Sequence, residues 1–213
     1  MINRKVQSKK RYIYSLVIGT FLFVMIFALS YSFSYIESVR ILNLQEESSY
    51  KIFEDKLDYS FFEEGVCSKN IYEKISEDLA FQGKLIDDLE NNLGKDNSMV
   101  LSRKKFYSLV ELEHFEFVKM LNDKCSLDVS TILFFYSNEN KNLEKSETIG
   151  RLLSSVYSRN GNMAIYSFDI NLETDLIKKL KNKYNIENIS VIIDEKHLIV
   201  EPRNIDEIEQ YLN

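Results

Sequence analysis

The chain has 213 residues, with 27 Lys and Arg against 33 Asp and Glu and a hydrophobic share of 45%. That suffices for one substantial core with appendages, and a net charge of −6 gives no general attraction to phosphates, so nucleic acid is not an expected partner. One Pro and six Gly exclude collagen-like and Pro-rich classes, and two cysteines are too few for a disulfide-dense scaffold or a four-thiolate zinc site.

The charge is unevenly spread. Arg4, Lys5, Lys9, Lys10 and Arg11 put +5 on residues 1–11, so the remainder sums to −11. Residues 12–36 then form 25 uncharged positions, YIYSLVIGTFLFVMIFALSYSFSYI. As a helix they would reach about 37 Å, more than the roughly 30 Å hydrocarbon core of a bilayer. Tyr12 and Tyr14 at one end, and Tyr31, Phe33 and Tyr35 at the other, suit the two aromatic belts of a membrane. A cleaved signal peptide is the rival reading, with Ala28-Leu29-Ser30 or Ser32-Phe33-Ser34 as the processing site. The apolar run is longer than a signal peptide's, which favours an uncleaved signal anchor. By the positive-inside rule residues 1–11 are a cytoplasmic tail, residues 12–36 the transmembrane anchor, and the acidic body is extracytoplasmic at the cell membrane.

Residues 37–128 read as a membrane-proximal helical region, since apolar residues return every three or four positions. The first helix continues from the span through Val39, Leu42, Tyr50, Phe53, Leu57 and Phe61 to a stop near Gly65. The second runs from about Asn70 through Ile75, Leu79, Ile86 and Leu89 to Gly94. The third is predicted to start near Ser102 as N-cap and to continue through Val110, Phe117 and Leu121. Their apolar stripes must be hidden by packing together, on the following domain, or on another chain, and the last option implies a homo-oligomer through the helical region.

Residues 129–213 change period. The run VSTILFFYS at 129–137 predicts a strand buried on both faces. A polar loop over 138–142, a helix over 144–157, a strand over 163–170 and a helix over 174–184 follow. The chain ends with a strand over 189–193, a turn at Asp194-Glu195-Lys196, a strand over 197–201 and a helix over 204–212. The order β-α-β-α-β-β-α predicts an α/β fold with a mixed four-stranded sheet: two right-handed βαβ crossovers making parallel pairs, then an antiparallel hairpin, with helices on both faces.

This order, together with the segment YNIENISVII at 184–193, resembles the thioredoxin superfamily over residues 129–213. In that family the redox pair is a Cys-x-x-Cys at the start of the first core helix, where the helix N-terminus lowers the thiol pKa, and a cis-proline precedes the third core strand. Neither is present. The loop reads SNENKNLEKSE, and the family's pair falls on Asn140 and Leu143, on Asn142 and Lys145, or on Leu143 and Ser146, with no sulfur in any register. The cis-proline position falls on Ser190, where a trans bond is expected. The resemblance therefore implies a redox-inactive domain, and it implies a surface for an extended protein or peptide partner near Asn142, Leu143, Ile189 and Ser190.

Cys67 and Cys125 flank the second and third helices. An oxidising compartment favours a disulfide between them over two separate thiols. A thiol-disulfide oxidoreductase using this pair is the competing function, and a self-associating, coiled-coil-like helical scaffold of the cell envelope is the third. His114 and His197 lack a second ligand at metal spacing and read as structural, so no metal and no cofactor is expected. Asp87, Asp88 and Glu90, and Glu111, Glu113 and Glu116, read as solvated helix faces. Arg103-Lys104-Lys105 reads as a basic surface at a helix start. Asn188-Ile189-Ser190 matches a glycosylation sequon but leads directly into a predicted strand.

Overall fold

A computed structural model describes residues 9–62, 67 and 69–212. The basic residues Arg4 and Lys5 and the helix stop expected near Gly65 lie outside them.

Helix α1 (Lys9–Phe62) is a single element of 54 residues, about 81 Å long at 1.5 Å per residue. Its stretch Arg11–Ile41 is long and apolar enough to cross a membrane. The large apolar side chains from Tyr12 to Ile36 are half or more exposed. Beyond this stretch α1 joins the body. Ile41 is buried against Leu85, Leu89 and Val100, and Glu46 pairs with Arg103 at 2.8 Å.

Helices α2 (Lys69–Leu93) and α3 (Ser98–Cys125) are joined by a tight turn at Gly94, whose φ of +88° disfavours any residue with a Cβ. Asn97, not Ser102, caps α3. Its Oδ1 accepts the amide of Met99 at 2.9 Å, which satisfies one of the orphan donors of the first turn and places the cap five residues earlier than predicted.

The remaining elements are β1 (Ser130–Tyr136), α4 (Asn140–Asn160), β2 (Met163–Asp169), α5 (Asp175–Tyr184), β3 (Ser190–Ile193), β4 (His197–Val200) and α6 (Asp206–Glu209). The predicted element order holds, but α4 begins at Asn140, inside the expected loop. The strands lie in the order β2-β1-β3-β4. Strands β1 and β2 are parallel, with Ser130 opposite Met163 and Tyr136 opposite Asp169. The second predicted parallel pair does not form. Strand β3 runs antiparallel to β1, with Ile132 opposite Ile193 and Phe135 opposite Ser190, and β4 completes the antiparallel hairpin. On the outer edge of β2, the Glu111 carboxylate on α3 accepts the Ser167 amide at 2.7 Å. Strand β3 lies on the other edge of β1.

Alternate strand residues face two cores. Leu133, Phe135, Ala164, Tyr166 and Phe168 meet Val110, Phe115, Val118 and Leu121 of α3, Ile75 and Leu79 of α2, and Ile177 and Leu180 of α5. Ile132, Phe134, Met163 and Val191 meet Ile149, Leu153 and Val156 of α4 and Ile208 of α6. The apolar stripes of α2 and α3 are thus hidden on each other and on the sheet of their own chain.

Candidate functional site

At the C-terminal ends of β1 and β2, a cleft of about 330 Å³ opens between the α2–α3 pair and α4. Gly83, Ile86, Asp87 and Glu90 line it from α2, and Lys104, Tyr107, Ser108 and Glu111 from α3. Phe134, Tyr136, Ile165 and Ser167 form the sheet wall, and Leu143, Ser146 and Glu147 the α4 wall. Gly83 allows a close approach here: a Cβ at this position would lie 2.9 Å from the Tyr107 hydroxyl, which would have to shift.

Lys104 is the electrostatic centre of the wall. It is buried, at 3% exposure, and its ammonium donates to Glu90 and Asp169, both at 2.8 Å, while lying 5.1 Å from the centre of the Tyr136 ring. Burial alone would lower its pKa, but Tyr136, Asp169 and Glu90 outweigh burial and hold it above the usual lysine range. Asn138 completes the hub, donating to Asp169 at 3.2 Å.

Glu111 is the contrasting case. It is 2% exposed; Oε1 accepts the Ser167 amide, whereas Oε2 is buried without a hydrogen-bond partner. Burial pushes its pKa up to about 8, against the lowering effects of the Ser167 amide and Lys104. Asp87, nearer the rim, is also raised, by burial and then by Glu90 and Asp88. The cleft therefore contains two carboxyl groups whose ionised forms are under-compensated.

These residues correct two surface readings. Glu90 and Glu111 are not on solvated helix faces, and Lys104 is not part of an exposed basic patch. On α3 the series Val100, Lys104, Ser108, Glu111, Phe115, Val118 advances by three or four, so it forms one buried stripe. The signal lay in that spacing: three polar residues continue an apolar stripe at both ends.

Of the five positions named for an absent redox pair, Asn142 and Ser146 form a polar clasp with Ser137. Ser146 Oγ accepts the Ser137 amide at 3.0 Å and donates to the Ser137 carbonyl at 2.8 Å. Asn142 donates to Ser137 Oγ at 3.4 Å, and Ser137 Oγ donates to Asn171 at 2.6 Å. Lys145 pairs with Glu201 at 2.8 Å, Asn140 is exposed at the start of α4, and Leu143 is half-buried on the cleft wall. Ile189 and Ser190 are buried, at 2% and 1% exposure, because β3 is an interior strand, so these two side chains do not contribute to an exposed peptide surface. Every peptide bond among the described residues is trans, that of Ser190 included.

Cys67 and Cys125 are joined by a disulfide, with Cα atoms 5.1 Å apart. Cys125 ends α3 about 21 Å along the helix axis from Glu111, so the bridge lies far from the cleft. His114 is buried, its Nδ1 2.8 Å from the Tyr166 hydroxyl and its Nε2 3.2 Å from Ser76 Oγ, while His197 stacks on Tyr211 with ring centres 4.4 Å apart. No cluster of three metal-ligating side chains occurs among the described residues.

No protein-family model matches the chain, and no curated protein or solved structure is significantly similar to it.

Proposed function

We propose that the chain is a single-pass, membrane-anchored binding module. In this reading its extracytoplasmic body is a redox-inactive, thioredoxin-like domain that receives an extended segment of another protein. The strand order β2-β1-β3-β4, with one parallel and two antiparallel pairs, supports the thioredoxin-like assignment. The exposed apolar stretch of α1, preceded by a cluster of Lys and Arg, supports the anchor and its orientation.

The observation that carries the binding reading is the cleft itself. It lies beside Leu143 and Ser146, among the positions of the absent redox pair, and it is walled by fixed apolar and polar groups with no thiol. A concave site with a few convergent polar groups is the usual form of a binding site. Fold likeness alone does not assign an activity, and here the chemistry of the site points away from thiol exchange.

Two assays test the reading on the full-length protein in detergent. Wild type should be inactive in insulin reduction, and Cys67→Ser should match it; activity that the variant loses would replace the module with an oxidoreductase. In a pulldown from membranes, Leu143→Arg should lose a partner that wild type retains. Retention of every partner by that variant would remove the cleft from the interaction.

A further inference from the structure

The cleft shows which chemistry it would take. Its charged lining is Asp87 and Glu90 from α2, Lys104 and Glu111 from α3, Glu147 from α4 and Lys95 from the α2–α3 turn, with Asp169 directly behind Lys104. Acids outnumber bases, and both bases are already engaged: Lys104 by Glu90 and Asp169, Lys95 by Glu147 at 4.0 Å. An anion would meet no free cation among these residues. Glu111 lines the cleft and carries a buried carboxyl oxygen, Oε2, that has no partner, a place that a cation seated against this wall would fill. The remaining wall is apolar and aromatic, from Ile86, Phe134, Leu143 and Ile165, with Tyr107 and Tyr136 beside it, which suits an alkyl stem and a ring-facing cation.

We infer that the cleft binds a primary ammonium group on an alkyl stem, with the Glu111 carboxylate as its counter-charge and Asp87 adding negative charge at the rim, and that a lysine side chain of the extended partner supplies it. This deepens the binding-module reading and rests on it. A free alkylamine carries the same chemistry and is the alternative source.

Proton release accompanies binding. Glu111 holds its proton through neutral pH because it is buried; Lys104 and Tyr107 on α3 and Tyr166 on β2 interact with it, and Asp87 and Glu90 on α2, Tyr136 on β1 and Glu147 on α4 are the other charged or titratable groups lining the cleft. An arriving ammonium favours the carboxylate, so the proton passes from Glu111 to solvent and no covalent bond changes. The ammonium itself stays charged across this range.

Isothermal titration calorimetry on the full-length protein in detergent tests the inference with three probes: n-butylammonium, the tripeptide acetyl-Ala-Lys-Ala-amide, and its norleucine analogue. The Lys peptide and butylammonium should saturate, the norleucine peptide should not, and affinity should rise up to about tenfold from pH 6.5 to 7.5 with proton release seen across buffers of different ionisation heat. Glu111→Gln should weaken binding at least tenfold. Asp87→Asn, at an exposed rim position where folding is not at stake, should weaken it several-fold. A Lys peptide tenfold tighter than butylammonium identifies a protein segment as the source, and equal affinities identify a free amine. Equal binding of the norleucine peptide, no saturation by any probe, or wild-type affinity in both variants would overturn the inference. A partner still lost with Leu143→Arg while no ammonium binds would leave the binding module standing and remove only this ligand chemistry.

Discussion

Lys104 and Glu111 occupy the same helix stripe and have opposite electrostatic fates. Lys104 is paired with two carboxylates, so removing it leaves Glu90 and Asp169 buried without a cation. Lys104→Met should therefore destabilise the protein by about 3–5 kcal/mol in urea unfolding. The exposed neighbour gives the control: Lys105→Met should change stability by less than about 0.5 kcal/mol. Glu111 makes a prediction of different form. Its folded-state pKa, about 8, lies above the ordinary 4.5, so the native state holds a proton that the unfolded chain releases. The stability it confers is complete below about pH 4.5 and is lost as pH rises toward 8, at about 1.4 kcal/mol per pH unit. Urea midpoints from pH 5 to 8 should fall more steeply for wild type than for Glu111→Gln, and parallel slopes would show that Glu111 ionises normally. Neither residue was legible as a site residue. Charged side chains in an acidic helical region read as solvated, because only the tertiary partners, Asp169 from β2 and the Ser167 edge amide, make their burial tolerable.

At the scale of elements, the disulfide ties the chain just before α2 to the last residue of α3, across a separation of 58 residues. On the loop-entropy account that closure stabilises the fold by roughly 4 kcal/mol. The Cys67→Ser, Cys125→Ser double variant should lose about that much in urea unfolding while keeping its helical circular dichroism, since the helices remain packed on the sheet. A loss below about 1 kcal/mol would mean that the loop is constrained by its packing alone. Strand and helix positions were largely readable because the period of the apolar pattern changes at residue 129. Strand direction was not. A run such as SVII is buried on both faces whether it pairs parallel or antiparallel, so its apolar pattern carries no sign of its direction. The start of α4 was also misjudged: SNENKN has the composition of a loop, yet the hydrogen bonds of Ser137 with Asn142 and Ser146 draw it into the helix.

For the molecule as a whole, the uncharged 25-residue stretch was the plainest feature of the sequence, and α1 extends it without a break into the body. Ile41 ends the apolar stretch and also packs on Leu85, Leu89 and Val100. The body therefore starts where the stretch ends, so in the proposed reading, with this stretch as the anchor, the cleft lies near the membrane surface. The helical region and the residues after 129 share a core, so the cleft is a product of both: α2 and α3 supply its carboxyl groups, and the sheet and α4 supply its floor and second wall. The central claim is that this cleft receives a partner on the extracytoplasmic side. The most direct measurement is site-specific photo-crosslinking in intact cells, with the photoreactive residue at position 143 and, for comparison, at the exposed position 179 on α5. Discrete adducts from position 143, absent from position 179 and accessible to protease added outside the cell, are the predicted result. The same adducts from both positions, none from position 143, or adducts protected from external protease would contradict it.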